Sequence, residues 1–285
     1  MNFAPLVAAC AALSISGAAA SQTPSNPPTQ PAPAEADWRT PDPQNVLVID
    51  TNKGRVIVEL APAVAPLSAG RVRDLARAGF YDGLAFFRVI DDFMDQTGDP
   101  LNTGSGGSTK PNVAAEFTFR RGSATPMAVA DRAGGLEIGF IGSLPVISQT
   151  IQLAAMTADQ KVAAWGTFCP GVAGMARAQD PDSANSQFFL MRGAQLNLDH
   201  NYTPFGRVIV GLDIVRSIKT GEPVAAPQDK MVTVRVLADI PAAQRPTVRV
   251  IDTAGPWFKA MTDKVRNQKV VGLSACDLDL PSQVK

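Results

Sequence analysis

The stretch from Val46 to Leu60 constrains the fold most. Val46-Leu47-Val48-Ile49-Asp50-Thr51 and Arg55-Val56-Ile57-Val58-Glu59-Leu60 are two β-branched runs joined by Asn52-Lys53-Gly54. Branched side chains favour extended backbone, and an Asn/Gly-containing turn between two such runs predicts a hairpin. Pro66 suits the first turn of a helix that carries Val72, Leu75 and Ala76, and Gly79 ends it. Leu212, Val215 and Ile218 mark a second helix, ended by Gly221. Met231 to Leu237 reads as a closing strand with Val232, Val234 and Val236 on one face. Aromatics are only 6% of the chain, whereas Gly and Pro number 23 each, a balance that suits a turn-rich β protein. Many strands and two helices around one core predict a mainly β fold, a closed barrel plugged by helices.

The 26 basic and 26 acidic residues cancel. A neutral chain gives no electrostatic case for nucleic acid or an anionic membrane surface. The first twenty residues carry no charge, and Ala18-Ala19-Ala20 before Ser21 reads as a small-residue cleavage site, so residues 1–20 are expected to be a signal peptide and the mature protein periplasmic or secreted. The apolar run there is too short and interrupted for a membrane span. Residues 21–45, rich in Pro, Thr, Gln and Ala, read as a flexible linker. Export leaves Cys169 and Cys276, an even pair that fits a disulfide in an oxidising compartment or, equally, two separate small apolar side chains.

The segment Phe86-Phe87-Arg88-Val89-Ile90-Asp91-Asp92-Phe93-Met94-Asp95-Gln96-Thr97-Gly98-Asp99 concentrates chemistry. On a strand through Phe87 to Ile90, alternation sends Arg88 to the face opposite Phe87 and Val89. Ser186-Gln187-Phe188-Phe189-Leu190 has the same character, a hydrogen-bonding residue beside aromatics. Together with Met175-Ala176-Arg177-Ala178, these blocks resemble the cyclophilin family of peptidyl-prolyl cis-trans isomerases from about Val46 to Ile240.

The resemblance implies a closed, antiparallel, eight-stranded β-barrel capped by two helices over residues 46–240. It makes Arg88 the catalytic arginine with Gln96 beside it. Phe93, Met94, Ala176, Arg177, Gln187, Phe189, Leu198 and Tyr202 then line the substrate site. The implied partners are proline-containing polypeptides, with no cofactor and no metal. Three positions depart from the family pattern: Asn197 stands for a rim tryptophan, Tyr202 for a histidine, and Arg177 for a frequent asparagine. They put inhibitor binding and substrate preference in question.

Two regions exceed the minimal plan. Residues from about 122 to 167 form an insertion, in which Thr157-Ala158-Asp159-Gln160 reads as a capping box opening a helix through Trp165. Residues 241–285 form a C-terminal extension whose Trp257, Met261 and Val265 are spaced to dock one helix face on the body. Gly104-Ser105-Gly106-Gly107-Ser108-Thr109-Lys110 lacks the order of a phosphate loop and reads as a flexible loop near the site. One histidine, His200, leaves no multi-histidine metal site, and no Gly-x-Ser-x-Gly elbow is present. The alternative to an isomerase is a proline-peptide-binding module or chaperone on the same fold.

Overall fold

The computed structural model describes residues 32–269 and 272–284. The expected signal peptide and the first part of the linker lie outside them. Eight strands form the main antiparallel sheet: β1 (Val46–Thr51), β2 (Gly54–Leu60), β3 (Arg88–Ile90), β4 (Met94–Thr97), β5 (Val172–Met175), β6 (Phe188–Met191), β7 (Pro204–Val210) and β8 (Met231–Val236). Their order is β8-β1-β2-β7-β5-β6-β4-β3. The hairpin forms in the expected register, from Val46 opposite Glu59 to Thr51 opposite Gly54. Thr51 Oγ1 accepts from the backbone N–H of Lys53 and Gly54, which tightens the turn.

The barrel expected from the sequence does not close as a continuous ladder. Its edges, β3 and β8, are linked only through isolated bridges of Ala85 with Lys230 and Val89 with Gly221. The reason is local. β3 has only three residues, and it and the segment before it find their remaining backbone partners in the loop before β8: Phe86 N–H donates to Asp229 O at 2.9 Å and Val89 N–H to Gly221 O at 2.8 Å. A bulge in β8 between Met231 and Thr233 also turns Val232 out to solvent, so only Val234 and Val236 of the expected apolar face are buried.

Alternation separates two apolar clusters. Leu47, Ile49, Val56, Val58, Phe188 and Leu190 face inward and meet Ala69, Val72 and Leu75 of α1 (Pro66–Arg77) and Val215 of α2 (Leu212–Ser217). Val46, Val48, Ile57, Phe189 and Met191 face outward, yet they are buried as well. The insertion and the tail cover that outer face, which explains why β1 and β2 are apolar on both sides. The helix α1 is capped from afar: the Glu116 carboxylate accepts from the N–H groups of Leu67 and Ser68, both at 2.8 Å. A negative group there meets the positive end of the helix dipole.

The insertion is a five-stranded antiparallel sheet, with spatial order Phe119–Arg121, Val162–Gly166, Leu144–Gln149, Leu136–Ile141 and Ala128–Ala133. The helix expected from Thr157 to Trp165 is absent. Ile151–Met156 is a 3-10 turn, and Val162–Gly166 is a strand paired on both sides. The Thr157 hydroxyl closes a loop by accepting from Lys161 N–H and donating to backbone carbonyls. Ladder bonds from two neighbours override the helical propensity of Ala163 and Ala164, and Val162 and Trp165 suit a strand.

The C-terminal extension docks on this assembly. Its helix α3 (Pro256–Gln268) buries Phe258 and Thr262, with Trp257, Met261 and Val265 half-buried around them. Phe258 meets Phe140 of the insertion edge-on at 5.4 Å. Leu273, Ala275, Leu278 and Leu280 complete the outer cluster. The described end of the linker is not free: Trp38–Arg39 pair with Val248–Ile251, which pair in turn with Ser282–Val284. Arg39 also binds Glu59 of β2 at 2.7 Å. Cys169 and Cys276 are joined, with Cα atoms 4.9 Å apart, so the tail is fastened where the insertion re-enters the main sheet. Among the described residues no helix is long and apolar enough to cross a membrane.

Candidate active site

The register of three strands assembles the site. Arg88 of β3 lies opposite Gln96 of β4, and Gln96 lies opposite Phe189 of β6. All three therefore project from the outer face, while Val89, Asp95 and Phe188 point into the barrel. Gly174 of β5 is opposite Phe189. A Cβ on Gly174 would lie 2.5 Å from the Phe189 ring and 2.8 Å from Phe168, so only glycine leaves room for the ring.

Phe189 forms the floor of a pocket of about 100 Å³ with an apolar well of Phe93, Met94, Ala176, Leu198 and Tyr202 and a polar rim of Arg88, Gln96 and Arg177. Of the residues singled out from the sequence, all but Gln187 line it. Gln187 stands one step away, holding Gln96. Phe189 stacks with Phe168 at 5.8 Å on one side and meets Tyr202 edge-on at 5.8 Å on the other. Ala176 lies just beyond β5, where its N–H donates to Gln187 O at 3.0 Å. Leu198 ends a 3-10 turn and is buried.

A chain of hydrogen bonds runs along the rim. Arg88 Nε donates to Glu222 at 2.5 Å and its Nη1 to Gln96 Oε1 at 3.3 Å. Gln96 Nε2 donates to Gln187 Oε1 at 2.9 Å, and Gln187 Nε2 to the carbonyls of Gly104 and Gly106 at 2.9 and 2.8 Å. Each amide is thereby oriented, and Arg88 Nη2 remains for a ligand. The Arg88–Glu222 pair is largely exposed, so it stabilises the fold little and mainly fixes the guanidinium plane.

The glycine loop is anchored rather than loose. The buried Asp99 carboxylate accepts from the N–H groups of Leu101, Thr103, Gly104 and Gly106. Burial acts to raise its pKa, but these four donors together hold it below the usual carboxylate range. A Cβ on Gly106 would fall 1.9 Å from Asp99 Oδ1, which is why the loop is glycine there. This loop, with Asn112, Ser183, Asn185 and Arg177, encloses a second, polar cavity of about 520 Å³ beside the apolar pocket.

The insertion reaches this rim. Trp165 packs on His200 with ring centroids 4.4 Å apart, near exposed Asn197 and buried Leu198. Asp199 accepts from Phe168 N–H at 3.0 Å; its pKa is raised by burial, against hydrogen bonds from its neighbours, including the Trp165 side chain. Glu222 and Asn185 had no signal in the sequence, Asp99 stood out only as the end of the chemistry-rich segment, and Trp165 only as the end of an expected helix. Glu222, Asn185 and Trp165 act through contacts with residues far along the chain, whereas Asp99 holds the loop that directly follows it.

Comparison with known proteins identifies the family. The family described as cyclophilin type peptidyl-prolyl cis-trans isomerase/CLD matches residues 46–238. The chain belongs to that family. A probable peptidyl-prolyl cis-trans isomerase of Brucella suis is 32% identical over 191 residues, 63% of this chain and 74% of the relative. A putative thylakoid lumen peptidyl-prolyl cis-trans isomerase of Synechocystis is 29% identical over 198 residues, 66% of this chain and 45% of the relative. The crystal structure of cyclophilin AquaCyp293 from Hirschia baltica superimposes with a TM-score of 0.79 at 35% identity, covering 87% of this chain and 93% of that one. That coverage extends past the matched domain into the appended segments. The protein is thus a cyclophilin-type peptidyl-prolyl cis-trans isomerase.

Proposed function

We propose that this isomerase acts on X–Pro bonds of exported polypeptides and assists their folding, with Arg88 as the catalytic residue. Resonance in the peptide bond sets a barrier of about 18–20 kcal/mol. Uncatalysed X–Pro isomerisation therefore takes tens of seconds or longer and limits folding. No bond has to be made or broken. The site must only bind the twisted amide better than either planar form.

The arrangement around Arg88 fits that task. The pocket of Phe93, Met94, Phe189 and Leu198 is the size and polarity for a proline ring, which fixes one side of the bond. Arg88, held by Glu222 and Gln96, presents Nη2 toward the carbonyl preceding the bond and the nitrogen lone pair that reappears as resonance is lost. Its charge persists at every relevant pH. Gln96 and Gln187 orient the substrate backbone through neutral donors and acceptors. The observation that carries this reading is the register that sets Arg88, Gln96 and Phe189 side by side on one face.

Export is supported by the uncharged, Ala-rich start of the sequence and by the pairing of Cys169 with Cys276, a bond suited to an oxidising compartment. Two experiments test the proposal. Two-dimensional exchange NMR on an Ala-Pro peptide should show exchange with the wild type and little with Arg88→Ala. Mass spectrometry of the exported protein should find the mature start at or near Ser21, and an intact Met1 would contradict export.

A further inference from the structure

Arg177 stands between the two cavities and lines both. Its guanidinium lies over the Tyr202 ring at 4.7 Å and 5.5 Å from the Phe117 ring. Nε donates to Asn201 O at 2.9 Å, and Nη1 to Ala178 O at 2.9 Å and Gln179 O at 3.3 Å. Carbonyls and ring faces orient the group without neutralising it. Among the described residues, no carboxylate lies within ion-pair distance of Arg177, and none lines either cavity. The other cation at the site, Arg88, is already balanced by Glu222. Asp180 and Asp182 are on the adjoining turn, where Asp182 Oδ1 accepts from Ala115 N–H of a distant segment and Asp180 Oδ1 from Asp182 N–H, and neither pairs with Arg177. Among the described residues, Arg177 is thus the one charged group lining the polar cavity, it has no ion-pair partner, and its Nη2 makes no hydrogen bond to protein.

We infer that Arg177 gives this isomerase a preference for substrates bearing a carboxylate side chain, Glu or Asp, close to the proline. The inference rests on the isomerase reading for the placement of the proline ring. A residue one or two positions from a proline seated on Phe189 reaches the polar cavity, because the two cavities share Gln96, Ala176 and Arg177 as a wall. A carboxylate fits better than a phosphate. The side-chain amides of Asn185 and Gln187 already donate to protein carbonyls, so few donors beyond Nη2 remain for a third oxygen. The Tyr202 and Phe117 rings hold the guanidinium as a planar fork, which a lysine in its place would not reproduce.

The test uses full-length protein and Ala-Ala-Pro-Ala-Ala peptides in which each alanine in turn is Glu, Gln or Lys. Exchange NMR gives kcat/KM, and titration of the same peptides gives affinity. At one position the wild type should prefer Glu to Lys by about tenfold at low salt, as expected for charges about 4–6 Å apart near a surface, and the preference should shrink as salt is added. Arg177→Gln should bring the Glu-to-Lys ratio to about one, while Arg177→Lys should retain part of it. A wild-type ratio near one at every position, or a ratio unchanged in Arg177→Gln, overturns the inference. Preferential binding of Glu peptides without turnover of any peptide would sustain it and refute the isomerase reading instead.

Discussion

The bond between Cys169 and Cys276 allows a quantitative test of how the tail is held. It closes a loop of 107 residues that contains the strands β5 to β8, the helices α2 and α3, and the central strand Val248–Ile251 of the tail sheet. In the chain-entropy model, opening a loop of about 100 residues releases about 4.7 kcal/mol of restraint on the unfolded chain. The native packing around it need not change, because Phe258, Leu273, Leu278 and Leu280 still reach their places on the outer face through the polypeptide. The double variant Cys169→Ser, Cys276→Ser should therefore fold, with a melting temperature lower by about 10–20 °C for a domain of this size. Calorimetry gives that value directly. The three tryptophans report where unfolding begins, with Trp257 on α3, Trp165 at the pocket rim and Trp38 in the tail sheet. Thiol titration of the denatured mature protein should find no free cysteine. Two free thiols, or a fall in melting temperature under about 3 °C, would refute the reasoning that this bond fastens the tail to the main sheet.

Three further outcomes follow from the site. Arg88→Lys should lower turnover by about 10²–10³ with little change in melting temperature, since a preorganised donor is worth about 2.7–4 kcal/mol in the transition state; near-wild-type exchange rates would rule out Arg88 as the catalytic group. Asp99→Asn should destabilise the protein by about 1.5–3 kcal/mol and weaken peptide binding, as Gly104 and Gly106 lose the carboxylate that holds them toward Gln187. The depressed pKa of Asp99 means that its contribution is complete above the ordinary carboxylate pKa and is lost only as the pH falls through the lower folded value, which acid titration of wild type against variant would show. Asp95 behaves in the opposite sense: burial, only partly offset by Arg192 3.1 Å away, raises its pKa to about 7. The native state then takes up a proton between pH 7 and the unfolded value that the unfolded state does not, so stability gains on acidification. Between pH 7 and pH 5 wild type should gain roughly 2 kcal/mol relative to Asp95→Asn in urea unfolding, and equal pH slopes for the two proteins would show that Asp95 stays charged.

The sequence by itself determined the elements whose signals are local. Two β-branched runs around Asn52-Lys53-Gly54 form a hairpin in any surroundings that cover them, and Pro66 with Gly79 brackets a helix through backbone constraints of their own. The alternation through Arg88 and Gln96 was legible for the same reason, because the period of a strand decides which side chains share a face. The tertiary structure decided what depends on distant partners. Val162–Gly166 became a strand because two neighbours offered it hydrogen bonds, despite a capping sequence at Thr157 suited to a helix. The barrel seam stayed unpaired because the loop from Gly221 to Asp229 took the backbone bonds of a three-residue edge. Glu222 reached Arg88 across 134 positions of chain, and Trp165 reached His200 across the rim. An exposed glutamate and an isolated tryptophan carry no periodic signal, so only the folded chain could assign them to the site.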